Sequence, residues 1–191
     1  MNRRDALSRV ALIMGGAIIG AEAFLSGCKN PTGGAAATGE TFSAANIALL
    51  DEVGETILPK TDTPGAKEAK IGDFMKAIVT DCYEEKDQKT FADGIGKLQD
   101  ASKKKFSKDF MSLSATEKHD LLVDLDKEAK DYNKTRKEGD PNHYFAMMKQ
   151  LTVWGYFTSE PGATKALRYV PVPGKYEGCI PYKKGDKAWA L

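Results

Sequence analysis

The chain has 191 residues, 41% of them hydrophobic, with 28 basic against 27 acidic side chains and a formal charge of +1. That length suits a single domain, and the near balance of charge excludes the broad basic face that nucleic acid requires. Three cysteines and two histidines, without metal-ligand spacing, argue against a structural zinc centre.

Arg3, Arg4 and Arg9 stand ahead of an apolar run from Val10 to Leu25 that only Glu22 interrupts. The run is about 16 residues, short of the roughly 20 that a spanning helix needs. A basic head, a short apolar middle and small residues at its end describe a cleaved export signal over residues 1–27. The run closes on "LSGC", Leu25 to Cys28, which resembles a bacterial lipobox. In that motif the cysteine thiol receives a diacylglyceryl group and cleavage falls just before it. Two or three acyl chains then give lasting membrane attachment where one would be marginal. An ordinary signal that contains a cysteine is the plainer alternative. The Arg3–Arg4 pair resembles a twin-arginine export signal, although Ala6 stands where a bulky apolar residue is usual. Cleavage would remove three arginines, Asp5 and Glu22, leaving 25 charges of each sign.

Residues 28–41 read as a lipidated flexible tether, since "KNPTGGAAATGE" has nothing to bury. The domain proper spans residues 42–191. Ser43 can cap a first helix whose face carries Ile47, Leu50, Val53 and Ile57, and Pro59 stops it. "KTDTPGAKEAKIGDF" is a loop dense in turn formers. Asp73 can cap a second helix with Phe74, Ile78 and Cys82. A third, from about Asp87 to Lys105, aligns Phe91, Ile95 and Leu98. "SATE" at Ser114–Glu117 has capping-box spacing and opens a helix with Leu121, Leu122, Leu125, Ala129 and Tyr132 on one side. Asp140 and Pro141 signal the start of another helix, apolar nearly all round from Tyr144 to Phe157. A helix of that kind belongs in the middle of a domain or against a partner. Ser159 and Pro161 open a short last helix through Leu167. From about residue 169 the prolines forbid helix, and no partner strand is evident. The fold class is therefore all-α: a compact domain of about five to six helices with a long irregular Pro-rich C-terminal tail.

A reactive centre leaves no trace in the motifs. "GxSxG", "HExxH", a P-loop and "CxxCH" do not occur. "GIG" at Gly94–Gly96 lies inside a helical pattern and lacks the strand and third glycine of a dinucleotide fold. His119 on a charged helix face reads as an exposed imidazole rather than a general base, and His143 reads as structural. Cys82 and Cys179 permit one disulfide, which would close a loop of about 100 residues at ~4–5 kcal/mol on the entropic account. Two buried free thiols are the alternative. The tail carries Tyr169, Tyr176, Tyr182 and Trp189 among prolines, a pattern suited to lying along another protein or to packing back on its own helices.

Two stretches carry a family likeness. "LLDEVGETILPKTDTPGAKEAKIGDFM" (Leu49 to Met75) and "WGYFTSEPGATKALRYVPVPGKYEGC" (Trp154 to Cys179) resemble the N- and C-terminal signatures of the gluconate 2-dehydrogenase subunit 3 family. The resemblance implies a non-catalytic small subunit of a membrane-associated, FAD-dependent sugar or sugar-acid dehydrogenase. In such complexes a flavoprotein of the glucose-methanol-choline (GMC) type carries FAD and the catalytic histidine, and a cytochrome c subunit with haem c often takes the electrons. The small subunit serves maturation of the flavoprotein and its export through the twin-arginine route. No catalytic, cofactor-binding or metal-binding residue is thus expected in this chain. The lipobox departs from the family's common pattern. It implies that Cys28 holds the partner at a membrane, in a bacterial cell envelope and at its periplasmic face. The partner surface is expected at Thr61, Asp62, Thr63 and Pro64, and along Tyr156, Thr158, Ser159, Tyr169, Pro171, Pro173 and Gly174. Two other functions remain open: a stand-alone envelope lipoprotein that stacks a carbohydrate on its Tyr/Trp cluster, and an enzyme that uses His119 or His143.

Overall fold

The computed structural model describes residues 41–172, 174–175 and 178–190. The expected export signal, Cys28, the tether up to Glu40 and Pro173 lie outside them. The described chain is helical, as expected. It forms α1 (Ala44–Ile57), α2 (Ile71–Cys82), α3 (Glu85–Phe106), α4 (Ala115–Thr135) and α5 (Tyr144–Thr158), with a 3₁₀ turn at Phe110–Ser112 and a π-helical turn at Gly162–Ala166.

Local signals set most of these limits. Ser43 Oγ accepts from the Asn46 amide at 3.3 Å and starts α1, and Pro59 follows its end. The capping box of α4 is complete: the Ser114 amide donates to Glu117 Oε2 at 2.8 Å, and the Glu117 amide donates to Ser114 Oγ at 3.3 Å. Two starts differ from expectation. α2 begins at Ile71, ahead of Asp73, because its free Gly72 amide donates to Asp51 Oδ1 of α1 at 2.7 Å. The cap comes from another helix, so no capping residue is needed next to it in sequence. α5 begins at Tyr144 rather than at Asp140–Pro141, with His143 Nδ1 accepting from the Phe145 amide at 3.3 Å.

α5 is the central element and packs against α1, α2, α3, α4 and the π turn. It buries Tyr144, Phe145, Met147, Met148, Leu151 and Tyr156, each worth about 1.5–3 kcal/mol when removed from water. Close approach requires glycine at two crossings. A Cβ on Gly94 of α3 would lie 2.4 Å from Tyr144 Cβ, and one on Gly155 of α5 would lie 2.5 Å from the Phe74 ring. Tyr132, expected on the apolar side of α4, is 40% exposed. Its ring rests near His143, and its hydroxyl donates to Pro141 O at 3.2 Å.

Beyond the π turn no further helix forms among the described residues. The tail returns on itself: Arg168 and Trp189 form an isolated parallel bridge, a pairing that the sequence pattern does not reveal. Cys82 and Cys179 are both free and both exposed, so neither the disulfide nor the pair of buried thiols is found. No helix among the described residues is long and apolar enough to cross a membrane.

Candidate partner-binding surface

The two signature segments, far apart in sequence, meet in space. Tyr156 of α5 donates its hydroxyl hydrogen to Pro64 O at 2.6 Å, in a buried position and across 92 residues of sequence. Glu55 of α1 clasps both ends of the same loop. Its Oε1 accepts from the Lys60 amide and its Oε2 from the Lys67 amide, each at 2.9 Å. Gly65 lies so close against that carboxylate that a Cβ would stand 2.3 Å from Oε2. The Ala66 amide donates to Leu58 O at 3.0 Å. "TDTPGA" is thus two things: Pro64, Gly65 and Ala66 are a buried anchor, while Thr61 and Asp62 form an exposed tip with Thr63 half-buried.

The electrostatics beside the loop reinforce it. Burial alone would raise the Glu52 carboxyl, but ion pairs to Lys118 and Lys67 hold it below its ordinary value. Lys118 reaches Glu52 at 2.8 Å and ties α4 to α1, while Lys67 ties the loop to the same carboxylate. Lys60 pairs with Glu68, lowers its carboxyl, and is assisted by Lys165 of the π turn.

Of the residues expected to face a partner, Tyr156 and Pro64 are buried inside the chain, where they hold the loop rather than offer surface. Ser159 is half-buried. Its hydroxyl donates to Tyr156 O at 2.6 Å and accepts from the Gly162 amide at 3.2 Å, which starts the π turn. Thr158, Tyr169 and Pro171 are exposed, and Gly174 is exposed with φ of +71°. Three apolar residues of α5 complete the surface. Val153, Trp154 and Phe157 follow one another at helical spacing on the outer side of α5 and are 40%, 49% and 38% exposed. Trp154 stands edge-on to Phe74, with ring centroids 5.4 Å apart. Val153 and Trp154 also line a groove of about 450 Å³ between α4 and α5, walled by Ala129 and Ala146. The signal was present in a helix apolar nearly all round, because one core cannot cover every face of it.

The histidines do not converge on a reactive centre. His143 is buried, caps α5, and has Nε2 3.7 Å from Glu128 Oε1. Burial pushes its imidazole below the ordinary value, against the pull of Glu128. Burial likewise pushes the neighbouring Tyr144 hydroxyl up to about 12. His119 is exposed, with Asp120 at 3.6 Å. Among the described residues no cluster of His, Cys, Asp and Glu could hold a metal ion. In the tail, the Arg168 guanidinium lies 4.7 Å from the centre of the Trp189 ring and covers one of its faces.

A family model described as Gluconate 2-dehydrogenase subunit 3 matches residues 44–174, well over half of the chain. No curated protein and no solved structure matches it significantly.

Proposed function

Because the chain belongs to the gluconate 2-dehydrogenase subunit 3 family, and so is a subunit of a dehydrogenase complex, we propose that it is the complex's non-catalytic small subunit. The complex it serves is a membrane-associated, FAD-dependent dehydrogenase of a sugar or sugar acid. Its GMC-type flavoprotein subunit carries FAD, and a cytochrome c subunit receives the electrons. This chain aids folding and export of the flavoprotein and anchors it through lipid on Cys28, at the periplasmic face of the cell envelope.

The observation that carries this reading is the exposed apolar stripe of α5. Its two aromatics, Trp154 and Phe157, lie within the C-terminal signature, on the helix that pins the "TDTPGA" loop. Large exposed aromatics clustered on a rigid element suit a protein interface. The stripe and the tip at Thr61–Asp62 are the surface offered to the flavoprotein.

Gentle detergent extraction of native membranes followed by immunoprecipitation of this chain tests the reading. A yellow precipitate with sugar-dependent dehydrogenase activity is expected, and Cys28→Ser should move the chain out of the membrane fraction. Recovery of a lone, colourless chain would overturn the subunit role.

A further inference from the structure

The tail is closed into a loop, and the closure is specific. The Arg168 amide donates to Ala188 O at 2.7 Å, and the Ala190 amide donates to Arg168 O at 3.0 Å. The Arg168 guanidinium covers the Trp189 ring, and Lys187 Nζ donates to Lys165 O of the π turn. Two backbone bonds, a cation–π contact and a lysine thus clasp the neck. The return limb has its own turn: the Lys183 amide donates to Asp186 Oδ2 at 2.9 Å and the Asp186 amide to Lys183 O at 3.0 Å. Gly185, with φ of +96°, supplies the left-handed position that this turn requires.

A clasp of this kind should bring the apolar side chains of its limbs inward if the tail served only the fold. The opposite is seen. Tyr169 and Val172 on the outgoing limb are 52% and 81% exposed, and Ile180 and Tyr182 on the return limb are 42% and 78% exposed. The return limb is also basic, with Lys183, Lys184 and Lys187 against Asp186 alone over residues 178–190.

We propose that the clasped tail is a preformed docking loop for the dehydrogenase's flavoprotein subunit. Tyr182 and Val172 enter an apolar recess on that subunit, and Lys183 and Lys184 meet carboxylates on its rim. The inference rests on the subunit reading and adds to it a second contact, on a segment of the chain separate from α5. Closing the neck in the free chain lowers the ordering cost of binding. The lysines steer the encounter and make it salt-sensitive. The first limb, through Val172, lies within the family match, whereas the whole return limb lies beyond residue 174, outside it.

The test is immunoprecipitation of the full chain from native membranes, with an antibody to the helical body, scored by flavin and dehydrogenase activity. The Lys183→Glu/Lys184→Glu pair and Tyr182→Ser should each reduce recovery of the flavoprotein about tenfold at roughly physiological salt. Their unfolding midpoints should match the wild type, because these side chains are exposed. Trp189→Ala should open the neck and weaken recovery less than the charge reversal. In the free chain, protease should cut the loop, and the complex should protect it. Wild-type recovery by all three variants overturns the docking loop and leaves the subunit role standing. So does intact recovery together with binding of the isolated chain to anionic lipid vesicles that the charge reversal abolishes. Failure of the wild-type chain to bring down any flavoprotein removes both readings.

Discussion

Gly94 and Gly96 are two positions apart on α3 and differ only in what stands over them. Gly96 is exposed with open space above it, whereas a Cβ on Gly94 would meet the Tyr144 side chain. Helix propensity alone favours alanine at both. Gly96→Ala should therefore raise stability by about 0.5–1 kcal/mol. Gly94→Ala should instead lower it by about 1–3 kcal/mol, because α3 and α5 must separate. Urea unfolding of the two variants checks both signs. Tyr156 is a similar case of one atom with a clear role. Tyr156→Phe keeps the ring but leaves Pro64 O buried without its donor, at a cost of about 1–2 kcal/mol. Faster amide exchange at Ala66 and Lys67 should accompany the loss, since the loop end is what that hydroxyl holds.

The helices show which parts of the fold a sequence carries locally. Where the cap is a neighbour in sequence, as with Ser43 and the Ser114–Glu117 box, the start is legible to the residue. Where it comes from elsewhere it is not: the acceptor for α2 is Asp51, in the preceding helix. The surface divides the same way. The turn chemistry at Thr61–Asp62 is readable, but the anchoring of Pro64 by Tyr156 depends on a contact across 92 residues that no local pattern encodes. The backbone pairing in the tail clasp is a single bridge, too short to leave any periodicity. At α5 the cap has a further consequence. Burial holds the His143 imidazole below 6.5, with Glu128 opposing and Lys97 assisting. Above that pH the imidazole is neutral in both states and the stability is fully present. As the pH falls through 6.5, the unfolded chain takes up the proton first, and stability is lost until the folded value is reached. Stability should thus decline as the pH falls below about 6.5, ahead of the paired carboxylates, whose lowered values act below 4.5. His143→Asn keeps an acceptor for the Phe145 amide but cannot titrate. It should flatten that decline in urea unfolding followed across pH.

At the scale of the molecule, α5 is asked to serve two surfaces. Its inner side joins the four other α-helices of the described residues into one core, and its outer side leaves Val153, Trp154 and Phe157 in water. If the outer side existed only for the fold, truncating it would cost what core truncation costs, about 3–5 kcal/mol for a large aromatic. If it exists for the partner, stability and assembly should separate. Trp154→Ser would then lower stability by only about 1 kcal/mol, mostly from the lost edge contact with Phe74. Recovery of the flavoprotein should fall far more, because half-exposed aromatics on a rigid helix concentrate binding energy when covered. Phe157→Ser should behave alike, while Leu151→Ala, on the buried side of the same helix, should damage both together. Urea midpoints and co-precipitated dehydrogenase activity on these three variants decide it. Parallel losses in all three would make the stripe part of the core, and a loss of assembly alone at Trp154 and Phe157 would make it the docking face.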